Sequence, residues 1–426
     1  MSVQVFLYDN TFYEVGQKKI VKLKIIKEKI EKNREILKKI PIDDILDVFQ
    51  AYSRELIHNS TVNRIEGVAF LANWLRKINL KKVLNNNLGS IEYLNYFVGD
   101  GRKKIKAQPR GLVCHWIAGN IPTLGLFSLV QSILVRNSNI LRIPEVSQAP
   151  FLSLLRVLAN IQTPKLNGYD LLKTVAIIYF PSSDVSINNE FSSIADVRVV
   201  WGGEDAVDAI TRAKKLSHCE DVVFGPKYSF AVIDKEAQES PDLPKIIRNL
   251  VIDIVLFEQS ACSSPQVLFF EQENLSLYQI AEIMAKEFQN ASKRFPKIVD
   301  QYTATKIIKK RAEYALSLDK HLIFSKANDW TILIDNQLQL EEPVQSRTIF
   351  MKPINSVLDV IPLITKKIQT IGVAIYNQTK LLEFTDAATY KGVARCVIPG
   401  QMNVYDSPWD GIYLLNRLVR WTTLYT

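Results

Sequence analysis

Between Leu112 and Phe224 the chain alternates short apolar, β-branched runs with single helical stretches, and no other feature constrains its fold as tightly. Leu112 to Ile117, Asn139 to Ile143, Thr174 to Phe180, Val197 to Trp201 and Asp221 to Phe224 read as strands. Pro122 to Val135, with proline at its start, Pro150 to Ile161 and Ala206 to Leu216 read as the helices between them. Near-continuous apolar strands separated by helices imply a parallel sheet covered on both faces. The pattern then restarts. Phe230 to Ile233, Pro265 to Phe270 and Trp330 to Ile334 read as strands, and Leu243 to Leu256 and Leu275 to Ala291 as helices, so a second α/β unit is expected. Ahead of both, residues 1–85 read as mostly helical after a strand-like start, with Asp43 and Asp44 placed to cap one helix and Gly67 preceding another. Residues 92–106 suggest a hairpin turning at Asp100-Gly101.

A chain of 426 residues can hold two or three domains. Its four scattered cysteines form no CxxC pair, which argues against a disulfide framework or zinc knuckle and suits a reduced cytoplasmic setting. The start, Met1 to Phe6, has no basic region leading into an apolar core, so no signal peptide is expected. The most apolar long stretch, Ile117 to Val135, carries Asn120, Pro122, Ser128, Gln131 and Ser132 and reads as a buried strand-turn-helix passage rather than a membrane span. The net charge of +9 is local: Lys18 to Lys39 holds ten Lys/Arg against three Glu. This implies a basic helix with one buried stripe (Leu23, Ile26, Ile30, Leu37, Ile40), not a nucleic-acid-binding surface. A solvated face is the favoured reading of that charge; an acidic partner or a membrane surface is the alternative.

Cys262 is the candidate nucleophile. It lies in the small, polar run Ser260-Ala-Cys-Ser-Ser264, between a helical stretch and an apolar strand. A thiolate needs polar or electropositive surroundings to form near neutral pH. Cys114 and Cys396 lie in apolar runs and read as core, and Cys219 is ambiguous. No GxGxxG comes after the first strand, and there is no Walker loop. The passage there is His115-Trp-Ile-Ala-Gly-Asn-Ile-Pro122, which sets Asn120 at the carboxyl edge of the sheet, where open α/β sheets bind ligands. An amide there can donate to a developing oxyanion, or simply cap the next helix. His115 reads as a packed residue at a strand end.

Taken in order, these passages resemble the aldehyde dehydrogenase superfamily, and within it the LuxC-type acyl-CoA reductases, the aldehyde-forming subunit of bacterial bioluminescence and its relatives. Gly119-Asn-Ile-Pro122 resembles the oxyanion passage of that superfamily, and Leu141-Arg-Ile-Pro-Glu145 the strand end that meets the adenosine ribose. Val199-Val-Trp-Gly-Gly203 resembles the turn beside the cofactor, and Phe224-Gly-Pro-Lys227 the passage after the next strand. Gln259-Ser-Ala-Cys262 resembles the catalytic-cysteine loop, and Ile371-Gly-Val-Ala374 and Ser407-Pro-Trp-Asp-Gly411 two late passages. The resemblance covers roughly residues 105 to 426. Two departures stand out. Val223 occupies the place of the carboxylate with which oxidising members hydrolyse their acyl-enzyme, and Arg347-Thr-Ile-Phe350 is only a loose match to the passage that holds the nicotinamide ribose.

The resemblance implies an aldehyde-dehydrogenase-like α/β fold. Its parts would be an N-terminal helical segment (1–90), a Rossmann-type cofactor domain (91–229) with an interface hairpin, a catalytic domain (230–395) and a C-terminal return (396–426). It implies Cys262 as nucleophile and Asn120 as oxyanion donor, and a cofactor edge built from Arg142, Glu145, Trp201, Gly202, Gly203 and Gly225. The implied reaction reduces a fatty acyl-CoA, or an acyl group delivered by an acyl-protein synthetase subunit, to the aldehyde with NADPH. NADH is the alternative cofactor; Arg142 favours a 2′-phosphate while Glu145 favours a free ribose diol. A homo-oligomer without metal, nucleic acid or transmembrane segment is expected. The competing readings are a CoA-acylating aldehyde dehydrogenase for short or aryl acyl groups and a non-catalytic acyl-binding scaffold.

Overall fold

The computed structural model describes residues 1–272, 277–297 and 299–426. The chain divides into two compact units: Met1–Gly225 with Tyr405–Thr426, and Pro226–Val404.

In the first unit the expected parallel strands form as β2 (Leu112–Trp116), β3 (Ser138–Arg142), β4 (Val175–Tyr179), β5 (Val197–Trp201) and β6 (Glu220–Phe224). They lie in the order β4-β3-β2-β5-β6, and β1 (Ser2–Tyr8) adds antiparallel to β4. The first of the parallel strands, β2, pairs with both β3 and β5, Val113 facing Asn139 on one side and Val197 on the other. That makes the gap between β2 and β5 the switch point, where successive connections leave in opposite directions.

Helix α1 (Leu23–Lys38) buries Leu23, Ile26, Ile30 and Leu37, four of the five apolar stripe positions. Helix α2 (Leu124–Leu134) comes after β2 and is buried throughout; it starts two residues after Pro122. His115, fully buried, bonds Ser128 on α2 at 2.9 Å and Asn139 on β3 at 3.0 Å. Burial pulls its imidazole down to about 4, so it is a neutral strut. Helix α3 (Glu204–Arg212) comes after β5.

The hairpin expected at 92–106 is reduced to a single antiparallel bridge, Val98 to Ile105, and Ile91–Leu94 is a 3₁₀ turn. Lys103–Pro109 pairs instead with Val419–Tyr425 over seven residues. The C-terminal run, rich in β-branched and aromatic residues, offers a longer ladder than the hairpin could. The return to this unit is anchored by Tyr405, stacked on Phe127 at 4.5 Å and on Trp409 at 4.8 Å.

The second unit holds a seven-stranded sheet. Its strands are β7 (Tyr228–Ile233), β8 (Pro265–Glu271), β9 (His321–Phe324), β10 (Thr331–Ile334), β11 (Thr348–Ile354), β12 (Ile368–Ala374) and β13 (Arg395–Val397). Their order is β9-β10-β11-β8-β7-β12-β13, all parallel except β9. Helix α4 (Leu243–Val255) connects β7 towards β8. A long helix spans Leu277–Arg294; its expected start at Leu275 lies outside the described residues. Strand β11 is central, yet its sequence carries Lys352 and Pro353, which speak against an interior strand. The structure accommodates Lys352 by pairing its buried ammonium with Asp335 at 2.7 Å and Glu341 at 2.9 Å.

Candidate active site

Cys262 stands three residues before β8, the middle strand of its sheet. Among residues 261–266 it alone is not buried. Of the other cysteines, Cys114 and Cys219 are buried and Cys396 half-buried. Burial pushes the Cys219 thiol up to about 11 and the Cys396 thiol up to about 12.

The chain reaches Cys262 through an unusual turn. After α4, Phe257, Glu258 and Gln259 are all left-handed, with φ of 57°, 48° and 58°. Each costs a non-glycine residue roughly 1–2 kcal/mol, so the turn persists only where its surroundings hold it. A second left-handed triplet, Gln345, Ser346 and Arg347, does so from just before β11. Arg347 Nε donates to both carboxylate oxygens of Glu258, at 3.1 and 3.0 Å, and Ser346 N–H donates to Glu258 O at 2.8 Å. The buried Gln259 amide donates to Pro265 O at 2.8 Å and Thr348 O at 3.1 Å, and accepts from Thr348 N–H at 2.8 Å. Arg347, where the sequence offered only a loose match to a ribose-binding passage, thus holds the Cys262 loop.

The far side of the loop is braced as well. Ser229 Oγ on β7 donates to Cys262 O at 2.7 Å and accepts from Thr370 N–H at 3.0 Å. Ser263 and Ser264 donate to Asn403 Oδ1 at 2.7 and 3.2 Å, and Asn403 Nδ2 donates to Asp253 O on α4 at 2.7 Å. Burial pushes the Asp253 carboxyl up to about 7, against the backbone N–H groups of Gly400, Met402 and Asn403 that favour its ionised form. Sequence reading missed Ser229, Arg347 and Asn403 as supports. All three are distant in sequence from Cys262, and the only signal was the loose match at Arg347-Thr-Ile-Phe350.

The other expected site residues lie in the first unit, at the carboxyl ends of its strands. Asn120 is exposed in the bend after β2, and Thr123 rather than Asn120 holds the N-cap position of α2. Arg142 ends β3; its Nε and Nη2 donate to Phe180 O at 3.3 and 3.2 Å, and its guanidinium lies 5.8 Å from the Tyr179 and Phe180 rings. The guanidinium therefore faces the end of β4 and not Glu145, which is exposed three residues on. Trp201, at the end of β5, stacks on Phe224 of β6 at 3.7 Å. Gly202 and Gly203 lead into α3, and Gly225 comes directly after β6.

This edge fits a nucleotide cofactor. It flanks the switch point between β2 and β5, and a Cβ built on Gly203 or Gly225 would meet nothing within 4 Å. At Gly119 a Cβ would come within 2.8 Å of Val146, so the loops after β2 and β3 close tightly there. Glu204 and Asp205 fill the first turn of α3 and satisfy its dipole, which leaves Arg142 as the basic residue expected to meet a phosphate.

Residues 36–421 match the family model described as LuxC, acyl-CoA reductase. The chain belongs to this family. Among its relatives, the long-chain acyl-protein thioester reductase of Vibrio harveyi is 28% identical over 406 residues, covering 88% of this chain and 77% of that protein. The corresponding protein of Photorhabdus laumondii is 28% identical over 367 residues, 82% of this chain and 72% of its own length. Solved structures show the fold. An aldehyde dehydrogenase from Brucella melitensis biovar abortus superposes with a TM-score of 0.72 at 11% identity, over 100% of this chain and 98% of that one. A glyceraldehyde-3-phosphate dehydrogenase from Methanocaldococcus jannaschii, complexed with NADP, gives 0.67 at 14% identity, over 100% and 99%. This LuxC-family chain therefore has the aldehyde-dehydrogenase-like α/β fold. No helix among the described residues is long and apolar enough to cross a membrane.

Proposed function

We propose that this LuxC-family reductase converts a long-chain fatty acyl thioester to the aldehyde through a thioester on Cys262, with NADPH as reductant. The observation that carries the reading is the Cys262 loop, in which Cys262 alone among residues 261–266 is not buried and hydrogen bonds from residues distant in sequence hold the loop. Attack of the Cys262 thiolate on the acyl carbonyl forms a new carbon–sulfur bond, the carbon–sulfur bond to the donor breaks, and the donor leaves as a thiolate that takes a proton from water. Asn120 and the Cys262 backbone N–H are assigned to the oxyanion. Gly203, Gly225, Trp201, Glu145 and Arg142 are assigned to the cofactor, which when bound supplies the hydride for reduction. Cys262 sulfur then leaves as the aldehyde is released. The donor is a CoA ester or an acyl-protein, the latter in keeping with the names of the relatives.

Incubation with tetradecanoyl-CoA and NADPH, followed at the nicotinamide absorbance, tests the reaction. Labelled acyl-CoA should tag the wild type and leave Cys262→Ala untagged, with cofactor binding retained. Equal tagging of the variant removes Cys262 as nucleophile. Turnover confined to short or aryl acyl-CoA removes the long-chain assignment.

A further inference from the structure

The first unit carries a cavity of about 390 Å³ away from the sheet's carboxyl edge. Arg34, Lys38 and Lys39 of the α1 region line it, together with Lys106, Arg136 and Arg420. Glu35 is the one carboxylate in the lining. The cavity lies at the amino ends of the strands: Pro109 precedes β2 and Arg136 precedes β3, whereas Asn120 and Glu145 lie beyond their carboxyl ends. Five residues of extended chain separate the two edges by roughly 15 Å.

Arg136 is the centre of the argument. It is 8% exposed, and its guanidinium donates to Leu94 O at 2.6 Å, Ile40 O at 3.1 Å and Asn95 Oδ1 at 2.6 Å. These neutral acceptors orient the charge without cancelling it. Lys106 Nζ donates to Asn95 O at 2.9 Å, another neutral partner. Burial, and then the charges of Arg136 and Lys38, hold the Lys106 ammonium below its ordinary value. None of the six cations makes an ion pair with a carboxylate among the described residues. Only Arg136 of the six is buried; Lys38, Lys39 and Arg420 are exposed, so their side chains are open to solvent and can reach an anion that enters the cavity.

We propose that this cavity binds a phosphate-bearing small molecule, held by Lys38, Lys106 and Arg420 above the Arg136 guanidinium. Six cations against one carboxylate call for several negative charges in a small volume, which a phosphate or pyrophosphate group supplies. The exposed Arg420 guanidinium can match phosphate oxygens with paired hydrogen bonds, Arg136 adds its charge from below, and the cavity falls in the small-molecule range of roughly 300–1,000 Å³. Tyr96 and Pro41 at the wall offer apolar surface to whatever the phosphate is attached to.

Calorimetric titration of the full chain with pyrophosphate, and in parallel with ADP, tests the site. Saturable binding is expected, at least tenfold weaker in the double variant Lys38→Gln/Arg420→Gln. It should be unchanged in Lys22→Gln/Lys32→Gln, which removes two charges elsewhere on the basic segment. Binding should also survive Gly203→Leu, which separates it from the cofactor edge. Tighter binding of ADP identifies a nucleotide ligand, and equal binding identifies the phosphate alone; either outcome supports the site. No saturable binding, or full-strength binding to Lys38→Gln/Arg420→Gln, overturns it.

Discussion

Asn120 is exposed at the sheet edge, outside the N-cap position of α2, which Thr123 occupies without a capping hydrogen bond. Asn120→Ala should lower turnover roughly 10²-fold, the usual loss on removing one oxyanion donor, with the thermal midpoint unchanged. Near-normal turnover would leave Asn120 without a catalytic part. Arg142 poses the opposite problem, because part of it is already engaged. Two of its donors meet Phe180 O, so the side chain braces the ends of β3 and β4 whatever else it does. Neutralisation of Glu145 would be one reason to favour NADPH, and the observed geometry does not supply it. The remaining reason is that a half-buried guanidinium at this strand end can pair with a 2′-phosphate. The ratio of kcat/KM for NADPH over NADH should fall in Arg142→Ala. A wild-type preference for NADH, or an unchanged preference in the variant, would reduce Arg142 to its bracing role.

At the level of elements, the Cys262 loop joins α4 to β8 under strain, and its cost is offset from three directions: Arg347 before β11, Ser229 on β7 and Asn403 after β13. Asp253 at the end of α4 lies under this frame and makes it sensitive to pH. Its folded-state carboxyl, pushed up to about 7 from an ordinary 3.8, binds a proton more tightly than the unfolded chain does. The corresponding stability is complete below the unfolded value and is lost as pH rises through 7. Asp253→Asn keeps an acceptor for Gly400 N–H but cannot ionise. The fall in thermal midpoint between pH 4 and 7 should therefore be shallower in the variant than in wild type. Equal slopes would show that Asp253 does not titrate in this range. None of this frame was legible from local sequence. Periodicity exposes strands such as β2 and β5, whose apolar runs are continuous, but it passes over β11, whose lysine is neutralised only by residues distant in the chain. The same limit explains the hairpin at 92–106: the true partner of Lys103–Pro109 lies more than 300 residues on, at Val419–Tyr425. The family was legible because the passages that carry its resemblance, around Cys262 and at the strand ends, are short contiguous runs.

On the scale of the whole molecule, the proposed nucleophile and the proposed cofactor edge fall in different units: Cys262 belongs to Pro226–Val404, and Arg142, Trp201 and Gly203 to Met1–Gly225. Acylation needs the thiol, its frame and the oxyanion donor proposed at Asn120 but no cofactor, whereas reduction also needs the cofactor, so the two half-reactions should be separable by substitution. Gly203 is the place to test this. Its backbone, φ −71° and ψ 173°, is extended and open to any residue, and a Cβ there meets nothing within 4 Å. Gly203 is the N-cap of α3, where glycine is tolerated but Ser, Thr, Asp or Asn would serve as well, and a bound cofactor passing over it would require glycine. Gly203→Leu should fold with a near-normal thermal midpoint and accept a labelled acyl group on Cys262 at the wild-type rate. It should nevertheless bind NADPH poorly and release little aldehyde. Cys262→Ala should show the reverse, with cofactor binding kept and tagging lost. If Gly203→Leu binds NADPH as tightly as wild type, the cofactor does not pass over the Gly202-Gly203 turn, and the assignment of the sheet's carboxyl edge has to be redrawn.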